Sequence, residues 1–385
     1  MPWKVDAVEV QRLELVKLVA SGALSIAELA RRFGVSRKTV YKWTARFKAA
    51  ENEALADRSR RPKGSPNRTD QALEERILKL REAHPAWGGR KLRAVLLRQR
   101  IAPPAASTIT EILRRHGKLD EEQANKHRAF QRFEREAPNQ LWQMDYKGHF
   151  PLSEGGRCHP LTVLDDHSRY SIGLVACGNE RGETVREALV EMFRRCGMPL
   201  QMLMDNGAPW GNDRENPWTP LTVWLLKLGV HVSHGRPYHP QTQGKDERFH
   251  QTLKAELLRG REFRDLRDCQ LRFDPWRQIY NFERPHEALG MRVPGDRYEP
   301  SPRAYPEKML PWSPAPDDQV RCVQHGGRLA FHGETWHMSK AFYGEQVFVR
   351  PTAKDGCWEV WFGPQCLGML NERDASNRRL VRRGD

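Results

Sequence analysis

Gln201-Met-Leu-Met-Asp205-Asn-Gly207 is a short apolar run ending in an acid and a turn. Arg236-Pro-Tyr-His-Pro-Gln-Thr-Gln-Gly244 is a breaker-rich loop that leads into Lys245-Asp-Glu-Arg-Phe-His-Gln-Thr-Leu-Lys-Ala-Glu-Leu-Leu258. The first stretch reads as a buried strand with Asp205 at its end. The last, free of Gly and Pro, reads as a helix with Glu247 in its first turn. Successive helical residues are turned by about 100°, so Phe249, Leu253 and Leu257 form an apolar stripe with Asp246 near its line. Glu247 instead heads a polar face that continues through Gln251 and Lys254. An acid at the head of a basic face suits a group that holds a cation beside a polyanion. A helix macrodipole would also favour a plain solvated acid there.

A third acid lies in Leu141-Trp-Gln-Met-Asp145-Tyr146, a predicted strand, and strands rarely spend an interior position on Asp. Together, Trp142-x-x-Asp145, Asp205-Asn-Gly207 and Pro240-x-x-x-Gly244-x-x-Glu247 resemble the integrase core of DDE transposases and retroviral integrases. The run Tyr238 to His250 resembles the bacterial insertion-sequence branch, and Tyr280-Asn, Arg284-Pro-His286 and Leu289-Gly290 resemble the segment that closes such cores. The second and third acids stand 42 positions apart, longer than in most relatives, with the excess assigned to the polar loop Trp210 to Trp218. The resemblance implies catalytic and metal-binding roles for Asp145, Asp205 and Glu247. It also implies DNA contacts at Gln251 and Lys254, and more weakly at Lys245 and Arg248. Asp165 and Asp166, in Val163-Leu-Asp-Asp-His-Ser-Arg169, are rival acids. They are read as turn and hydrogen-bond formers.

The 385 residues allow two to four domains. Lys and Arg outnumber Asp and Glu by 64 to 49, and residues 1–137 hold 30 basic against 17 acidic side chains. A basic footprint concentrated at the N-terminal end points to an acidic polymer as partner. Seven cysteines, none in a Cys-x-x-Cys pair and none before Cys158, offer no zinc site or disulfide framework. With no secretory segment and no apolar run near 18 residues, an intracellular, membrane-free protein is expected; the resemblance implies that it is bacterial, cytoplasmic and nucleoid-associated.

Helices are predicted over Val8 to Ala20, Ile26 to Phe33 behind a Ser25/Glu28 capping box, and Arg37 to Lys48. Short helix, Gly34 turn and basic helix make a helix-turn-helix, with Arg37, Lys38, Thr39, Lys42 and Arg46 placed to enter a major groove. Arg58, Arg60, Arg61, Lys63 and Arg68, interleaved with Pro and Gly, form a basic linker that could follow a minor groove. Further helices near Asp70 to His84, Gly89 to Arg100 and Ser107 to His116 form a second unit. Its Ala86-Trp-Gly-Gly-Arg-Lys-Leu92 resembles the second helix-turn-helix of many insertion-sequence transposases.

From Leu141 the pattern becomes strands at Leu141 to Phe150, His159 to Asp165 and Tyr170 to Ala176. A helix at Gly182 to Cys196, the strand ending at Asp205, a helix at Thr219 to Leu228 and a strand at Val230 to Ser233 follow. That order resembles an RNase H-like α/β fold. Seven prolines from Pro294 to Pro316 mark a stiff linker, and five short strand-like runs between Arg328 and Leu370 resemble a small SH3-like barrel. The expected architecture is therefore multidomain. A helix-turn-helix domain occupies 1–56, a basic linker 57–68, a second helix-turn-helix unit 69–117 and a charged connector 118–137. The RNase H-like integrase catalytic core occupies 138–293, a Pro-rich linker 294–318, the β-barrel 319–372 and a basic tail 373–385.

Three carboxylates drawn together repel unless a cation intervenes, and oxygen ligands suit Mg²⁺ or Mn²⁺. The resemblance therefore implies a DNA transposase that acts on double-stranded element ends and target DNA as a homo-oligomer. Two other readings remain open: a transposase-derived DNA-binding regulator without catalysis, and an RNase H-type nuclease that cuts without joining.

Overall fold

The computed structural model describes residues 8–50, 55–57, 69–119, 134–211, 218–234, 244–309, 311–374 and 378–381. The chain divides into two compact units, Met1–Arg68 and Thr69–Asp385. The basic linker with Arg58, Arg60, Arg61 and Lys63 lies outside the described residues. So do most of the 118–137 connector and the loop from 235 to 243.

In the first unit, α1 (Val8–Ser21), α2 (Ile26–Arg32) and α3 (Arg37–Ala50) pack Leu15, Leu29 and Val40 into a small core. Ser25 caps α2 by accepting from Glu28 N at 3.3 Å, and the Glu28 carboxylate accepts from Ser25 N at 2.8 Å. Arg12 is buried beneath α3. Its guanidinium lies 3.9 Å from the centroid of the Trp43 ring and donates to Leu55 O at 2.7 Å. That cation-ring contact fixes the angle between α1 and α3.

The second unit opens with α4 (Gln71–Ala83), α5 (Gly89–Arg98) and α6 (Ala106–Arg115), closed over Ile77, Trp87, Leu92, Leu96, Ile109 and Leu113. Gly89 is required where α5 meets α6, because a Cβ there would lie 2.5 Å from Ala106 O. The α/β core follows with β1 (Trp142–Tyr146), β2 (Phe150–Pro151), β3 (Arg157–Asp165) and β4 (Ser171–Cys177). It continues through α7 (Gly182–Cys196), β5 (Gln201–Met204), α8 (Pro220–Lys227), β6 (His231–His234) and α9 (Gly244–Leu253). Across the mixed sheet the order is β4-β3-β1-β5-β6, with β2 beside the start of β3. β4, β3 and β1 are antiparallel, and β1, β5 and β6 run parallel. Leu161 and Val163 face the core under α7 and α8, whereas Cys158 and Leu164 face Phe249 and Leu253 of α9. Burial on both faces explains why β3 carries apolar residues at positions that do not alternate, Leu161, Val163 and Leu164.

Three features depart from expectation. A 17-residue helix, α10 (Leu266–Phe282), closes the second face although Pro275 lies inside it, and Pro in the interior hides a helical pattern. It also carries Ile279 against the α4–α6 core, while Arg98 of α5 grips Asp296 through two hydrogen bonds of 2.9 and 3.1 Å. The Pro-rich stretch is a strap rather than a free spacer. Tyr298 stacks on Tyr170, Tyr305 packs against Phe193, and Arg303 donates to the carbonyls of Pro199, Leu228 and Gly229.

The third departure concerns the C-terminal region. It comprises β7 (Gln319–Cys322), β8 (Arg328–Phe331), β9 (Glu334–His337), β10 (Gln346–Pro351), β11 (Cys357–Phe362) and β12 (Gln365–Asn371). These form a four-stranded sheet, β12-β11-β10-β7, and a β8-β9 hairpin joined to it by isolated bridges, Gln324 with Arg328 beyond β7 and, through the 378–381 segment, His337 with Arg379 and Met369 with Val381, so no continuous closed ladder forms among the described residues. A closed barrel would need these single bridges to extend into continuous ladders. The region shares one hydrophobic core with the α/β sheet, with Trp218 edge-on to Phe342 at 5.6 Å. Gln365 reaches the outer strand β6, accepting from Val232 N at 3.0 Å and donating to Val232 O at 3.2 Å.

Candidate active site

β1 and β5 are neighbours in a parallel pair whose register sets Trp142 opposite Met202. Asp145 and Asp205 each lie three residues further on, so both emerge at the same level where the strands end. Carboxyl ends of parallel strands are where open α/β sheets gather ligands. Asp145 Oδ1 accepts from Tyr146 N at 2.8 Å, and Asp205 Oδ1 accepts from Gly207 N at 3.0 Å. Burial, and then the charge of Asp205, pushes the Asp145 carboxyl up to about 6. Burial also raises that of Asp205. Two acids whose ionised forms oppose each other in a half-buried site call for a positive charge between them.

Helix α9 supplies two further acids, and its phase separates them. Asp246 is 1% exposed, and among the described residues neither of its carboxylate oxygens has a hydrogen-bond partner. Its carboxyl is pushed well above the ordinary range, by burial first and then by Asp145 and Asp166. Glu247 faces solvent with Arg248, Gln251 and Lys254. Beyond Leu253 the helix widens into a π-turn, Lys254–Leu258, a form frequent at functional sites. Among the described residues no three His, Cys, Asp or Glu side chains stand close enough together to hold a metal ion. The site thus brings Asp145, Asp205 and Asp246 into one electrostatic neighbourhood, with Glu247 exposed at the head of the same helix as Asp246. The orphaned oxygens of Asp246 and the raised carboxyls of Asp145 and Asp205 fit a divalent cation as missing counter-charge.

The two rival acids are structural. Asp165 accepts from Asn139 N, Ser168 N and Ser168 Oγ, and Asp166 accepts from Arg135 N and Gln143 Nε2. Lys245, expected on DNA, is instead turned inward and ion-paired with Asp166.

On α3, Arg37, Lys38 and Lys42 are exposed and Thr39 is half-buried, its side chain hydrogen-bonded to Ser36. Arg46 lies over Trp43 at 4.9 Å. Tyr41, 61% exposed on the same helix, escaped the sequence reading because a charge-based search passes over an aromatic. His250 escaped it too. It lies four residues after Asp246, which puts both on one helix face, and that spacing was legible.

Comparison with known proteins places these features. Two profiles described as "Integrase core domain" match residues 135–240 and 228–294. "IS481 family transposase, C-terminal domain" matches 318–377, "Helix-turn-helix domain" 11–63 and "Homeodomain-like domain" 39–113. A 31.7 kDa protein of insertion element IS407 from Burkholderia multivorans is 26% identical over 242 residues, 60% of this chain and 82% of the relative. A Geobacillus stearothermophilus protein, assigned as the transposase of insertion sequence element IS5376, is 23% identical over 348 residues, 87% of this chain and 81% of the relative. The catalytic core domain of HTLV-2 integrase, solved with magnesium, superposes with a TM-score of 0.33 at 16% identity. That match covers 43% of this chain and 99% of the other.

Proposed function

The chain belongs to the integrase superfamily, on its insertion-sequence branch, and from that premise we propose that it binds the terminal repeats of a mobile element, cleaves the element's ends and joins them to target DNA. The observation that carries the proposal is the β1/β5 register, which sets Asp145 beside Asp205 with both carboxyls raised. Asp145, Asp205 and Glu247 are the residues that would hold Mg²⁺ or Mn²⁺. A bound pair of such ions supplies Lewis acidity toward a phosphodiester.

In the first step water attacks phosphorus at the element's end, and the 3′ oxygen leaves as a hydroxyl. In the second step that hydroxyl attacks a target phosphodiester in line, and the target's own 3′ oxygen departs. Neither step needs a covalent enzyme intermediate. The chain contributes charge and placement. Asp145 and Asp205 are fixed by their bonds to Tyr146 N and Gly207 N. The exposed Arg248, Gln251 and Lys254 offer a basic face to the DNA strand beside them. Sequence reading belongs to Arg37, Lys38, Thr39, Lys42 and Arg46 of α3, with Arg58, Arg60, Arg61 and Lys63 following the backbone. Among the described residues no helix is long and apolar enough to cross a membrane, and the protein acts on the nucleoid as a homo-oligomer that holds two ends.

One observation favours the rival reading, a DNA-binding regulator without catalysis: Glu247 is exposed, whereas Asp145 and Asp205 are half-buried. Incubating the purified chain with element-end DNA and Mg²⁺ or Mn²⁺ decides between them. Strand cleavage is expected, lost in Glu247→Gln with DNA affinity kept, and retained in Asp246→Asn. Specific binding without any cleavage gives the regulator reading. An inactive Asp246→Asn beside an active Glu247→Gln moves the third ligand by one residue.

A further inference from the structure

Helix α5 rests on the catalytic core, and one of its cations has no counter-charge there. Ile279 of α10 packs into the α4–α6 cluster, and Arg98 reaches Asp296 through two hydrogen bonds. Lys91 and Arg98 stand about two helical turns apart on α5, so both lie on the face turned to the core. Among the described residues the acids at this junction are already matched with arginines. Arg98 takes Asp296, Arg90 stands 3.9 Å from Glu287, and Arg284 holds Glu256 at 2.8 Å. Lys91 makes no ion pair among them.

Lys91 is half-buried, and positive charge surrounds it. Burial first, and then Arg284, pushes its ammonium down to about 8; Arg248 of α9 acts in the same direction, while Glu256 and Glu287 oppose them. His286, whose Nε2 lies 3.4 Å from Arg284 Nη1, adds no charge, because burial, Arg284 and Lys91 hold it well below its ordinary range. With Glu256 and Glu287 engaged by Arg284 and Arg90, Lys91 and Arg248 are the excess. A half-buried cation among cations costs the fold stability, and a methionine would serve the helix about as well without that cost. Such an arrangement fits an anion supplied from outside the fold. Arg248 is exposed and directly follows Glu247 on α9, so that anion would lie beside the strand on which the acids act.

We propose that Lys91 of α5 and Arg248 of α9 together hold one phosphate of the element-end DNA, so that the second helix unit and the catalytic helix grip the same strand. The proposal rests on the DNA-processing reading above. Contacts of this kind carry no sequence information and fix register, here the position of the strand relative to the acids. Charge-assisted bonds from two cations to one phosphate are the strong form of such a contact.

The test compares the full wild-type chain with Lys91→Met on element-end DNA across a range of salt, and on the same DNA carrying single neutral methylphosphonate replacements. Thermal unfolding of the DNA-free chains is recorded in parallel. Lys91→Met is expected to bind about tenfold more weakly at low salt and to flatten the log affinity against log salt plot by about one. One methylphosphonate position should weaken the wild type and leave the variant unmoved. Without DNA the variant should unfold at a higher temperature than wild type at pH 7, with the gap narrowing toward pH 10, where the lysine is neutral in the native state. An unchanged salt slope, or a variant as sensitive as wild type at every methylphosphonate position, overturns the inference alone. So does a variant less stable than wild type at pH 7, which makes Lys91 a packing residue. A wild-type chain that binds no element-end DNA overturns the DNA-processing reading, and this inference with it.

Discussion

Replacing Asp145 by Asn should make the cation-free protein harder to unfold at neutral pH. The carboxyl titrates near 3.8 when ordinary and near 6 here, raised by burial and by Asp205. Below pH 3.8 both states are protonated and the group costs the fold nothing. Between 3.8 and about 6 the native state keeps a proton that the unfolded chain has released, so stability falls as pH rises. Above about 6 the loss is complete. The rise of about two powers of ten in proton affinity, at about 1.4 kcal/mol each, amounts to about 3 kcal/mol. At 28% exposure solvent screening removes little of it. Asn keeps the oxygen that accepts from Tyr146 N and carries no charge.

Calorimetric unfolding in a chelator therefore should show Asp145→Asn above wild type at about pH 7.5, converging with it at about pH 4. Adding Mg²⁺ or Mn²⁺ should restore the wild type and leave the variant unmoved. A variant no more stable at neutral pH, or a gap that widens toward acid, would refute the electrostatic account of the site. Asp246 departs from the sequence reading in the same sense. As a helix-terminal acid its loss should cost about 0.3–1 kcal/mol, but buried without a partner and with its carboxyl raised, its replacement by Asn should stabilise the cation-free chain.

Other expectations follow from buried partners and exposed charges. Arg284 and Glu256 are an ion pair with both side chains under a tenth exposed, so Arg284→Met should cost about 3–5 kcal/mol in urea unfolding, most of it recovered by adding Glu256→Leu. Arg303→Ala strands the carbonyls of Pro199, Leu228 and Gly229 and should lower stability by about 1–3 kcal/mol, read by the same unfolding curves. Arg37→Ala and Lys38→Ala, both at exposed positions of α3, should each flatten the log affinity against log salt plot for DNA by about one if they meet phosphates. An unchanged slope would take α3 off the backbone.

What the sequence made legible was local. Period-two and period-3.6 patterns located β1, β3 through β6 and α1 through α9, though β2 was merged with β1 into one run from Leu141 to Phe150, and the stripe Phe249, Leu253, Leu257 is the face that packs on the sheet. Helical phase alone put Asp246 with that stripe and Glu247 away from it. Long-range pairing was not legible. That Asp246 is buried without a hydrogen-bond partner among the described residues is a property of its packing, not of its neighbours in the chain. Pro275 concealed α10, since a helix is read by what interrupts it. The Pro-rich strap looked like a spacer because its anchors are Tyr298, Arg303 and Tyr305, scattered residues that match surfaces far away in sequence. The barrel was inferred from strand count, which says nothing about whether edges meet.

Gln365 gives the sheet an ending. Outer strands such as β6 offer bare amides and carbonyls, and those are templates on which a second chain can add itself. With both backbone groups of Val232 taken by one glutamine amide, the sheet is stoppered by a residue borrowed from the C-terminal region. A chain clipped before that residue would lose its plug as well as the C-terminal strands, and Val232 would again offer a second chain both its backbone groups.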